Sequence, residues 1–68
     1  MAHFFVNLNA QPNGDHEVHE KGCFWLGMAA QTRDLGDHAT CVTAVAVAKE
    51  FYTTANGCVH CAPACHTR

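Results

Sequence analysis

The sequence predicts an α+β fold: a small two-layer domain with an N-terminal antiparallel β-hairpin or three-stranded sheet packed on one α-helix, followed by a Cys-rich C-terminal segment. Three observations carry that expectation. Residues 3–9, HFFVNLN, alternate so that Phe4, Val6 and Leu8 share one face and His3, Phe5 and Asn7 the other. Beyond Thr40, residues Cys41, Ala44, Val45, Ala48 and Tyr52 recur at helical spacing. Within residues 57–66, GCVHCAPACH, stand three of the five cysteines and two of the six histidines.

The first strand is residues 3–9. Pro12 presets φ for a turn and Asn13-Gly14 tolerates positive φ, so a hairpin follows. The returning strand is residues 15–20, DHEVHE, with His16 and Val18 on one face and Glu17 and His19 on the other. Past Gly22, the apolar run Cys23-Phe24-Trp25-Leu26 reads as a continuation beyond a bulge or as a third strand. Residues 27–33 read as a loop, and residues 34–37 as a very short strand ending at a turn. A helix over 41–55 follows, with Thr40 as N-cap and Gly57 in the left-handed position after its end. Its β-branched residues weaken it in isolation, so packing must hold it. Phe4, Val6, Val18, Trp25 and Leu35 are the residues expected to meet its apolar face.

At 68 residues there is room for one domain over 1–68. A chain this short buries only about 60% of the surface its unfolded form exposes, and its core supplies roughly 3–5 kcal/mol. A disulfide, a metal or a partner subunit is therefore expected to add support. With 49% apolar and 15% charged residues the chain is not of the disordered class. Net charge is −2, and Lys21, Arg33, Lys49 and Arg68 are scattered rather than clustered, which argues against nucleic acid as a partner. No apolar stretch approaches the roughly 20 residues of a membrane span, and the N-terminal apolar run is too short for a signal peptide. The expectation is a cytoplasmic protein with reduced thiols.

Cys58 and Cys61 form a CxxC pair, a spacing that turns two thiolates onto one tetrahedral ion. Cys65 stands one helical turn beyond Cys61, with Pro63 placed to start that turn. These three are the expected metal ligands, with Cys23 or His66 as fourth; His60 or a histidine of the DHEVH strand are alternatives. Zinc is the expected cofactor. It contributes roughly 10–16 kcal/mol of apparent binding energy in zinc-finger peptides, far above what this core supplies. His16 and His19 are three apart in a strand, so they point to opposite faces and do not share an ion. The competing reading is that the cysteines are small apolar residues, with Cys23 and Cys41 packed inside. A passive disulfide, with pairing open, is another. A thiol redox or sensor role would use Cys58 and Cys61, or Cys41 at the helix start, where the dipole lowers a thiol pKa.

The run NAQPNGDHEVH, the following Cys23 and the ending NGCVHCAPACHT resemble a group of short uncharacterised bacterial proteins, over most of the chain. That resemblance implies no activity. The layout of hairpin then helix is similar to the small repeat of YegP-like proteins, which implies a homodimer with one continuous sheet. Surplus aromatics (Phe5, Phe24, Trp25, Phe51, Tyr52) point to a subunit or partner surface as well. There is no nucleophile–base–carboxylate pattern and no glycine-rich phosphate loop, so no catalytic residue is assigned. The function expected is a small non-enzymatic binding or accessory module with a zinc-stabilised clasp, ahead of a thiol redox sensor or a purely structural homodimer.

Overall fold

In the computed structural model, which describes residues 1–67, β1 (Ala2–Asn7) and β2 (His16–Glu20) form the hairpin dictated by alternation and turn chemistry. Phe5 lies opposite His19 and Val6 opposite Val18. The Gly14 amide donates to the Gln11 carbonyl at 2.7 Å, and the Gln11 amide to the Asp15 carbonyl at 2.8 Å. Gly14 stands at φ +89°, a region that suits glycine.

After β2 the chain leaves the sheet. Cys23-Phe24-Trp25-Leu26, expected as a strand, is one helical turn, α1 (Phe24–Gly27). The Leu26 and Gly27 amides bond back to the Cys23 carbonyl at 3.1 and 3.4 Å. Phe24 and Trp25 are exposed, so Trp25 does not join the core as expected. The third strand is β3 (Thr32–His38), which takes over the end of the stretch read as a loop and all of the one read as a very short strand. It pairs antiparallel with β1 through a bulge between Phe4 and Phe5, and Leu35, the residue this register skips, is buried.

Thr40 caps α2 (Cys41–Ala48) by accepting the Val42 amide at 3.3 Å. The helix ends at Ala48 rather than 55. Its amides tighten to i−3 bonds, Glu50 to the Val47 carbonyl and Phe51 to that of Ala48, both at 3.0 Å. Residues 55–57 are then claimed by the sheet as β4 (Ala55–Gly57), parallel to β2, with His16 beside Ala55 and Val18 beside Gly57. The intervening β3 and α2 give the long crossover that a parallel pair needs.

Gly57 is therefore not a helix cap. A Cβ on it would lie 2.7 Å from the Cys65 Cβ and 2.8 Å from the Ala62 carbonyl oxygen. Only a residue without a side chain lets the C-terminal turn (Pro63–Cys65) close against β4.

The sheet order is β3-β1-β2-β4. Phe4, Val6, Val18, Leu35 and Ala55 bury one face against Ala44 and Ala48 of α2. The architecture is α+β, as expected, with four strands rather than two or three. The sheet's other face carries His3, Phe5, Glu17 and His19, by strict alternation from Phe4, Val6 and Val18.

Candidate metal centre

Parallel pairing of β2 and β4 builds the site. The Cys58 amide donates to the Val18 carbonyl at 2.9 Å, so Cys58 leaves the sheet beside His19. Three residues on, Cys61 returns to the same place, and its Sγ accepts the Glu20 amide at 3.3 Å. From the other side, the turn after β2 brings back Cys23, whose amide donates to the Glu20 carbonyl at 3.0 Å. One ligand atom from each of His19, Cys23, Cys58 and Cys61 lies within 4.8 Å of all the others. A tetrahedral ion with Zn–S of about 2.3 Å and Zn–N of about 2.0–2.1 Å sets its ligand atoms roughly 3.5–3.8 Å apart. Contraction by roughly an ångström closes the group on one ion.

The surroundings suit thiolates and a neutral imidazole. The amides of Trp25 and Leu26 point at the Cys23 sulfur, and the His60 amide lies 3.4 Å from the Cys58 Sγ. His19 is 1% exposed; its Nδ1 is 3.9 Å from the Cys61 Sγ, and its Nε2 is 3.6 Å from a Glu17 carboxylate oxygen. One nitrogen thus faces the sulfurs while a carboxylate stands behind the other, the arrangement that orients metal-bound histidines.

Burial holds His19 below the ordinary imidazole range, although the Glu17 charge opposes it. Burial also pushes the Cys61 thiol up to about 12, helped by the neighbouring Cys23 and Cys58 thiols against the Glu20 amide. At Cys23 burial works upward too. There the Cys61 thiol and the Trp25 and Leu26 amides prevail, and its pKa is lowered. Crowded thiols in one pocket resist collective ionisation, and a divalent cation removes that resistance by taking the place of the protons.

Of the ligands expected from sequence, Cys58, Cys61 and Cys23 come together. Cys65 does not join them, because its sulfur is bonded to that of Cys41, joining the C-terminal turn to the start of α2. Cys41, read as a packed thiol or a reactive one, is thus a disulfide partner. Cys23, Cys58 and Cys61 remain free. His66 is turned away, its Nδ1 3.0 Å from the Gly57 carbonyl oxygen, and His60 stacks on Trp25 at 5.6 Å between centroids. His16 faces away from the site, stacked on Tyr52 at 3.8 Å.

By spacing alone His19 is one of several candidates for the fourth ligand. Two sequence signals single it out: Glu17 two residues earlier on the same face, and Cys23 four residues later across a turn. No protein-family model matches the chain, and no curated protein or solved structure matches it significantly.

Proposed function

We propose that the chain is a non-enzymatic binding module whose fold is completed by one zinc ion held by His19, Cys23, Cys58 and Cys61. The observation that carries this reading is the convergence of four soft ligand atoms, from segments about 40 residues apart in sequence, to within 4.8 Å of one another. Three thiolates and an imidazole are a structural zinc set; with all four positions supplied by protein, no coordination site is left for a substrate. The ion would fix the two loops that carry the cysteines. Those loops expose Phe24, Trp25, Met28 and Val59, an apolar surface suited to contact with another molecule.

Elemental analysis of protein purified without chelator tests the proposal. One zinc per chain is expected, and EDTA should lower the melting temperature sharply. Metal-free protein whose melting temperature ignores EDTA would refute it. Substitution with cobalt gives a second check, since three thiolate ligands produce intense sulfur-to-metal charge-transfer bands and a set with fewer sulfurs does not.

A further inference from the structure

Resting on that reading of the centre, we infer that Cys23 is an oxidation site for hydroperoxides, and that its oxidation links it to Cys61 and expels the metal. The three sulfurs are unequally placed. Cys58 is fully buried, whereas Cys23 and Cys61 are partly open. The Cys61 sulfur is engaged by β2, accepting the Glu20 amide at 3.3 Å. Cys23 sits just before α1, on a loop whose Phe24 and Met28 face solvent, so a small oxidant reaches it first. The Cys61 sulfur lies within 4.8 Å of the Cys23 sulfur and, unlike that of the fully buried Cys58, is partly open, which makes Cys61 the resolving thiol. The remaining pair, Cys41 and Cys65, is already a disulfide and takes no part.

The chemistry balances without further reactants. The Cys23 thiolate attacks one peroxide oxygen, the S–O bond forms as the O–O bond breaks, and the departing hydroxide takes a proton to become water. The Cys61 thiolate then attacks the Cys23 sulfur and forms the S–S bond, and the second hydroxide leaves as water on taking another proton. Two thiolates lose two electrons, and one hydroperoxide is reduced. Cys58 and His19 alone do not retain the ion, because two of the three anionic ligands have gone. A dithiol reductant reverses the change by exchange at the new disulfide.

The test uses the full chain loaded with zinc, its metal content fixed by elemental analysis before any oxidant is added. One equivalent of hydrogen peroxide should release one zinc per chain to a chromogenic chelator. Non-reducing peptide mapping should find Cys23 joined to Cys61, with the Cys41–Cys65 link unchanged. Zinc retained with Cys23 unmodified overturns the inference, and so does a first linkage between Cys58 and Cys61. Cys23→His keeps a ligand atom but removes the oxidisable sulfur, and should slow release by about tenfold or more. Should that variant not fold, the order in which thiols disappear from the native chain, followed by mass spectrometry, decides the matter: Cys23 must go first. A chain without zinc at the outset fails the metal reading itself, whereas a loaded chain indifferent to peroxide fails only the inference drawn here.

Discussion

At the scale of single residues, the chemistry of this protein turns on which side chains face the same point. Glu17 and His19 share a strand face, and the carboxylate at 3.6 Å from His19 Nε2 positions the ring rather than the metal. Glu17→Gln should therefore leave zinc stoichiometry intact while weakening affinity about 10- to 100-fold, measured by competition with a chelator. The two C-terminal cysteines flanking Pro63 separate cleanly. Cys61→Ser should abolish stoichiometric zinc, whereas Cys65→Ser should keep it and lose only the disulfide, at a cost of about 2–5 kcal/mol in unfolding experiments. Equal loss of metal in both variants would place Cys65 in the centre after all.

Protonation follows the same residues. Burial outweighs Glu17 at His19, so the folded chain binds that proton less readily than the unfolded one. The unfolded chain takes the proton up below about pH 6.5, so this group's stabilising share is complete above that pH and declines as pH falls past it. Urea midpoints of metal-free, disulfide-intact protein should be lower at pH of about 5.5 than at about 7.5. Zinc binding at neutral pH should release protons, up to one for each thiol of the set, in a pH-stat titration.

Among the strands, β4 is the shortest and has the greatest consequence. Its three residues are all buried, and Asn56 ties it both to the hairpin turn, through Asp15 at 3.2 Å, and to Thr67, whose amide donates to Asn56 Oδ1 at 3.1 Å. Without that strand, Cys58 would have no fixed position beside His19. The close approach at Gly57 gives the sharpest prediction at this scale. Gly57→Ala should destabilise by roughly 1–3 kcal/mol through overpacking against Cys65 and Ala62, read from denaturant midpoints. The start of the helix is legible by contrast, and loss of its Thr40 cap in Thr40→Ala should cost about 1 kcal/mol.

Over the whole molecule, the disulfide and the proposed metal centre would each fasten the C-terminal segment to the rest of the fold. The disulfide joins α2 to the C-terminal turn across a sequence separation of 24, and the proposed metal set would join the β2–α1 turn to the loop after β4. They share no sulfur. Both act on the segment of residues 57–65, where Cys65 packs against Gly57 and Ala62, so their contributions should couple, and chelation and reduction applied together should change the melting temperature by an amount that departs from the sum of the two separate effects. Non-additivity beyond about 0.5 kcal/mol would show that closing one clasp shapes the other. No helix among the described residues is long and apolar enough to cross a membrane. The outer edge of β3 carries Arg33, Asp34 and Asp37, charges that discourage strand addition there.

The hairpin, the start of the helix and the apolar positions Phe4, Val6, Val18 and Leu35 were determined by sequence alone. Each depends on period, turn chemistry or capping among residues close together in the chain. The opposed faces of His16 and His19 were equally legible, since a strand's alternation is local geometry. What the sequence left open was the partnership of its five sulfurs. Spacing favoured Cys58, Cys61 and Cys65 because they are near neighbours, but contact in three dimensions follows the parallel pairing of β4 with β2. That pairing costs the helix its expected last turns and gives Gly57 to the sheet. It sets His19 and Cys23 beside Cys58 and Cys61 and leaves Cys65 to Cys41. Pairing energy between strands some 40 residues apart is a property of the assembled core, and no local pattern records it.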